Sequence, residues 1–401
     1  MGATIDDAAL ALGLAGSYAT GTMATDRIVV VSGARTPFVR ARGVFAKVPA
    51  STLGGVALRE TVAKAGIDPK LINECYFGIV SPPPEGSNIS REAMFDSGLP
   101  PTIPCTTINR YCASSAEAAA AIAAKITSGH IEIGVAGGVE SISSVRALFS
   151  QQATDYFQDL MRAKTLGQRL AKLSEFRPQL LTPHAPGIKE PTTGLTMGQS
   201  ADLMARLFKV GREEQDRFAA ESHLKAHAAW DAGFYKSHVV AVSTPDGKIV
   251  DRDTDVRSDT SAEKLSRLKP VFYKDGSITA GNASPLTDGA SAVLLMKESK
   301  ARELGLKPLG VIRGYAAAAV DIKKEPLLIG PVYAMPNALK SAGITWKDLD
   351  LYEIHEAFAA QVLSTVRAVE SAEFAKDKLG LASPICQVDA SKLNIWGGSI
   401  P

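Results

Sequence analysis

Short runs rich in Val, Ile and Thr alternate along the chain with Ala-rich stretches in which apolar positions return every three to four residues. That alternation predicts an α/β fold. Arg27 to Ser32 (RIVVVS) reads as a first strand, and Ser51 to Ala65 follows as a helix capped by Ser51 or Thr52. Glu74 to Val80 reads as a second strand. Ile103 to Asn109 leads into Cys112, and the small residues of Ser114 to Ile126 suit a helix packed between layers. Ile131 to Ala136 makes a further strand, closing on Gly137, Gly138, Val139 and Glu140.

The pattern repeats in outline. Ala65-Gly66-Ile67 with Lys70 precedes the strand at 74–80, and Ala342-Gly343-Ile344 with Lys347 precedes an expected strand at 351–354. Helix capping alone would also produce this match. Between the copies, residues 150–268 carry more Gln, Lys and Arg and a loop broken by Pro178, Pro183, Pro186 and Pro191. The expected layout is a flexible extension over 1–24, a first half over 25–149, an insertion over 150–268 and a second half over 269–401. Met23 could serve as an alternative start. Within the insertion, residues 155–177 read as a basic amphipathic helix weakened by Gly167, with Leu160, Met161, Leu166, Leu170, Leu173 and Phe176 between Arg162, Lys164, Arg169, Lys172 and Arg177. Such a helix suits an anionic membrane surface, a partner subunit, or an ordinary half-buried position.

Composition narrows the function. The chain has 401 residues, 45% hydrophobic and 21% charged, with Lys+Arg 44 against Asp+Glu 42. Its length favours more than one packed unit, and its net charge of +2 gives no reason to expect nucleic acid as a partner. No apolar run reaches the length of a membrane span. Cys75, Cys105, Cys112 and Cys386 are widely spaced without CxxC, which signals neither disulfides nor a zinc site and fits a reducing compartment.

Candidate chemistry gathers where strands give way to helices. Cys112 sits at such a junction in NRYCASSA, where backbone N–H groups and the helix dipole favour a thiolate and offer oxyanion donors. Position alone leaves nucleophile and core packing both open. His355, in EIHEAF, occupies the corresponding junction of the second copy, which leads to the expectation that the two converge at one sheet edge, with a structural histidine as the alternative reading. His223 and His227 stand four apart, but Leu224 replaces the Glu of HExxH and no third ligand is evident, so they read as surface residues. Thr279 to Ala292 (TAGNASPLTDGASA) reads as a ligand-approaching loop or a tight turn before a strand at 292–296. The chain contains neither GxGxxG nor a P-loop.

In this order, NRYCASSAEA, AGGVES, TAGNASPLTDGASA, HEAFAAQ and NIWGGS resemble the motif set of the thiolase family, from Ile28 to Ser399. HEAF in place of NEAF, with MRAKTLGQRLAKLSEFR in the insertion, is similar to the 3-ketoacyl-CoA thiolase β-subunits of fatty-acid oxidation complexes. The resemblance implies two βαβ-rich halves in a five-layer αβαβα stack, an inserted loop domain over coenzyme A, and a homodimer. In that family the dimer is often joined to a hydratase/dehydrogenase α-subunit, and the basic amphipathic pattern over 155–177 is expected to make peripheral membrane contact. The resemblance makes Cys112 the acylated nucleophile and gives His355 the water or donor that polarises the thioester oxygen. Ser284 would contact the pantetheine arm and Met197 would line the acyl pocket. No metal or redox cofactor is expected, with coenzyme A as co-substrate. A bacterial cytoplasm or a mitochondrial matrix fits.

One departure stands out. The family continues past NIWGGS into Gly-His-Pro and Cys-x-Gly elements that supply a base and an acid, whereas this chain reads Gly397-Gly398-Ser399-Ile400-Pro401. The expectation is an incomplete second half with an unpaired sheet edge, and little or no thiolytic turnover. A ketosynthase-type condensing enzyme and a non-catalytic subunit that binds CoA esters are the alternatives.

Overall fold

Successive residues of the strands face opposite sides of the sheet. In the computed structural model, which describes residues 26–146, 148–183 and 189–401, Val29, Phe77, Val135 and Leu294 join one apolar cluster while Ile28, Ala136 and Leu295 join another. The expected extension over 1–24 lies outside these residues. The strands are β1 (Ile28–Arg35), β2 (Val39–Arg40), β3 (Glu74–Gly78), β4 (Cys105–Ile108), β5 (Ile133–Ser141), β6 (Val242–Ser243), β7 (Ile249–Val250), β8 (Thr287–Lys297) and β9 (Gly310–Ile312). All but the β6–β7 pair form one mixed sheet in the order β4-β3-β5-β8-β1-β9, with β2 also on β8. β3 runs parallel to β4 and β5, whereas β8 is antiparallel to β5 and β1.

The helices are α1 (Ala50–Ala65), α2 (Ile89–Ser97), α3 (Ser114–Thr127), α4 (Gln151–Arg162), α5 (Leu166–Ser174), α6 (Met197–Leu207), α7 (Arg212–Asp231), α8 (Ala262–Ser266), α9 (Glu298–Glu303), α10 (Gly330–Ala342), α11 (Ala359–Glu370) and α12 (Ala372–Leu379). α1 and α2 cover one face through Leu53, Leu58, Val62 and Met94, and α3 covers the other through Ala118, Ile122 and Ile126. α1 begins at Ala50 after Pro49, one residue ahead of the expected start.

Several expectations change. β8 joins the first sheet, its apolar residues on both faces buried between β5 and β1, while Phe272, Ile278 and Ala283 ahead of it pack with Phe358 and Ala360. The Gly66 and Gly343 match is real capping geometry: both glycines close a helix at positive φ, and a 3-10 turn follows each. The copies then diverge. Glu74–Gly78 enters a ladder, whereas the 351–354 segment makes a Tyr352–Leu393 bridge among the described residues. The helix expected over 155–177 is broken at residues 163–165, where a capping box between Thr165 and Gln168 starts α5; Gly167 sits inside α5 and breaks nothing. Finally, α6 and α7 are not a detached cover: Ala201 and Met204 pack with residues of α11, and Arg367 pairs with Glu214.

Candidate active site

β4 ends at Ile108 and α3 starts at Ser114, and the turn between them is locked by Ser114. Its Oγ accepts from the Arg110 N–H at 2.8 Å and donates to the Tyr111 carbonyl at 2.5 Å. Tyr111 takes a φ of +46°, a left-handed conformation that costs a non-glycine residue about 1–3 kcal/mol. A Cβ on Gly78 would stand 2.5 Å from the Ser114 carbonyl carbon, and one on Gly138 would stand 2.8 Å from Ser115 Cβ. Those two glycines let α3 begin directly against the ends of β3 and β5. Cys112 is thereby held at the carboxyl edge of the sheet and exposed, whereas Cys75 is buried in β3.

The electrostatics of this cysteine differ from the expectation. Although Cys112 is exposed, the atoms packed around its sulfur desolvate the charged form and push the thiol up, nearby Glu140 adds to the rise, and a backbone hydrogen bond opposes them. Glu140 is itself raised by burial, although the Val80 N–H (2.8 Å) and the Ser81 N–H (3.3 Å) donate to its carboxylate. Among the described residues, no basic side chain is hydrogen-bonded to Cys112.

His355 arrives from the second half. Glu356 beside it is buried, and its carboxylate accepts from Ser222 Oγ (2.7 Å), Asn394 Nδ2 (2.7 Å) and the Ile400 N–H (3.2 Å). Asn394 also mimics a strand neighbour, accepting from the Ile354 N–H at 2.9 Å and donating to the Ile354 carbonyl at 2.9 Å. This clamp ties the HEAF turn to the NIWGGS segment. Ser399 Oγ lies 2.7 Å from His355 Nδ1 and accepts from the Glu356 N–H at 2.9 Å. Burial lowers the His355 pKa, which keeps its imidazole neutral at pH 7.

The loop ahead of β8 completes the cluster. Ser284 Oγ donates to the Ser399 carbonyl at 2.6 Å, and the Ser284 N–H donates to the Ala357 carbonyl at 3.0 Å. Met197, at the first position of α6 behind its Thr196 cap, packs in the apolar cluster that contains Ala283, Ala357 and Phe358. His355, Ser284 and Met197 are thus brought together. Cys112 reaches the same sheet edge through β5 and β8, where Glu140 is paired with Gly289 and Ser141 with Asp288, but no hydrogen bond joins it to His355 among the described residues.

His223 departs from the surface position expected of it. It is buried, accepts from the Arg257 N–H at 3.4 Å, and has a pKa lowered to about 4, chiefly by burial and then by Arg257. Sequence reasoning quoted the motifs that contain Glu356, Asn394 and Ser399 but gave those residues no role. The available signal was a carboxylate and an amide within otherwise apolar runs at strand–helix junctions.

Comparison with known proteins places the chain in a family. Residues 28–299 match the thiolase N-terminal domain and residues 306–401 the thiolase C-terminal domain. The chain is 43% identical over 377 residues to the 3-ketoacyl-CoA thiolase of Pectobacterium atrosepticum, covering 94% of this chain and 86% of that protein. It is 42% identical over 381 residues to that of Vibrio cholerae, covering 94% and 87%. The Bacillus anthracis acetyl-CoA acetyltransferase structure superposes with a TM-score of 0.79 at 31% identity, over 94% of this chain and 87% of that one. Human mitochondrial 3-ketoacyl-CoA thiolase in complex with CoA superposes with a TM-score of 0.77 at 28% identity, over 94% and 86%. With both halves matched and the site built from the family's motifs, the chain belongs to the thiolase family.

Proposed function

We propose that this protein is a 3-ketoacyl-CoA thiolase of fatty-acid β-oxidation, transferring an acyl group through Cys112. The carrying observation is an exposed cysteine on a strained turn between β4 and α3, with Ser284 on the loop that leads into β8 and linked through Ser399 to His355. The Cys112 thiolate attacks the 3-keto carbon, the bond between C2 and C3 breaks, and acetyl-CoA leaves once its carbanion is protonated. The thiol of a second CoA then takes the shortened acyl group and returns the thiol of Cys112. Ser284 has committed its hydroxyl hydrogen to the Ser399 carbonyl, so toward a pantetheine arm it acts as an acceptor for an amide N–H. Met197 borders the acyl side. Acyl capture on residue 112, read by peptide mass after incubation with a 3-ketoacyl-CoA, tests the assignment. Loss of the adduct in Cys112→Ala supports it, and acylation elsewhere contradicts it.

Two association surfaces belong to the same reading. β4 is an edge strand of the sheet among the described residues, its Cys105 carbonyl accepting from Asn88 Nδ2 at 3.1 Å, and this edge supports a homodimer formed across it. Light scattering of purified protein tests this, and a monomer at micromolar concentration contradicts it. Met161, Leu166, Leu170 and Leu173 of α4 and α5 are exposed beside Arg162, Lys164, Arg169 and Lys172. This supports peripheral contact with anionic lipid; co-sedimentation with phosphatidylglycerol vesicles, lost in Leu166→Asp/Leu170→Asp, is the expected result.

A further inference from the structure

Resting on the reading of His355 as the group beneath the thioester oxygen, we infer that Ser399 is a positioning residue that fixes the His355 tautomer with its proton on Nε2. Ser399 Oγ is engaged twice: it accepts from the Glu356 N–H at 2.9 Å and lies 2.7 Å from His355 Nδ1. A serine hydroxyl carries one hydrogen. Among the described residues, no group other than Nδ1 is hydrogen-bonded to that hydroxyl in a position to take its hydrogen, which directs the hydrogen to Nδ1 and leaves the ring proton on Nε2. The depressed basicity of the ring agrees, since a neutral imidazole has one N–H to place. Nε2–H is then a donor for a water or a thioester oxygen.

The hydroxyl is itself held in place. Its residue gives its carbonyl to Ser284 Oγ at 2.6 Å, and the neighbouring Gly398 and Ile400 N–H groups are fixed by Ser222 and Glu356. A Cβ on Gly398 would overlap the Glu356 carboxylate, at 2.1 Å from its carbon, so the segment cannot drift without disturbing the clamp. One residue therefore joins both functional side chains, through its hydroxyl to the imidazole and through its backbone to the pantetheine-side serine.

The test needs no turnover. The full chain has six histidines, so ¹⁵N-histidine labelling with assignment by His355→Gln isolates the ring signals of residue 355. In the wild type at pH 7.5, Nδ1 is expected to give a pyridine-like signal and Nε2 a pyrrole-like one. Ser399→Ala should move both signals toward the averaged position of a mixed tautomer population, and Ser399→Thr should restore the wild-type pattern. A pyrrole-like Nδ1 in the wild type overturns the inference, as does an unchanged pattern in Ser399→Ala. If Ser399→Ala fails to fold, the wild-type and Ser399→Thr spectra decide. Failure here leaves acyl capture at Cys112 untouched, whereas failure of that capture leaves these spectra standing.

Discussion

Glu356 accepts a 2.7 Å hydrogen bond from Ser222, joining the turn that presents His355 to the long helix α7. Both groups are buried, so neither can exchange this bond for one to water. The geometry of His355 therefore depends on a carboxylate that itself faces away from the site.

Glu356→Ala leaves Ser222, Asn394 and the Ile400 N–H without their shared acceptor. One buried unsatisfied group costs about 1–3 kcal/mol, so the urea midpoint should fall by at least that equivalent. Glu356→Gln, which keeps the shape, should lose less. Equal midpoints for Glu356→Ala and the wild type would contradict the clamp.

Much of this architecture was legible in the sequence, because strand alternation and the strand-to-helix junctions at Cys112 and His355 are local signals. The place of β8 was not, since a strand preceding the second half in sequence can insert between β5 and β1 only through a long-range pairing that no window of residues encodes. Glu356 and Ser399 escaped for the same reason: their partners lie 134 and 44 residues away. The raised thiol of Cys112 depends on desolvation by atoms packed around it and on Glu140 from another strand, neither of which the helix-start rule contains.

Gly78→Ala places a methyl group against the first residue of α3. Overpacking at such a contact costs about 1–3 kcal/mol, read as a lower urea midpoint. Gly310→Ala in β9, where a Cβ meets nothing within 4 Å, should stay within about 0.5 kcal/mol of the wild type. Similar losses in the two variants would show that close approach of α3 is not what the glycine provides.

His223 sets a pH dependence of stability. Its folded pKa of about 4 lies below the ordinary histidine value, so the unfolded chain binds the proton more tightly. The contribution is fully present above the unfolded pKa and is lost as pH falls from about 6.5 toward 4, for a total of about 3 kcal/mol. His355 acts in the same direction. Urea titrations across this range should show a shallower slope for His223→Gln than for the wild type; identical slopes would remove His223 as the cause.

Cys112 should react slowly with iodoacetamide at pH 7.5 and accelerate with an inflection above the usual thiol range, because the thiolate is the nucleophile. Glu140→Gln removes a negative charge that raises this thiol, so the inflection should move down. An inflection below the usual thiol range in the wild type would mean that the helix start outweighs desolvation.

Acyl capture by Cys112 bears most directly on the proposed chemistry. Incubated at pH 9 with a 3-ketoacyl-CoA and digested, the wild-type chain should carry the shortened acyl group on the peptide containing Cys112, released by added CoA, and Cys112→Ala should carry none. No adduct on that peptide, or equal labelling of Cys105 or Cys386, would contradict acyl transfer through this residue.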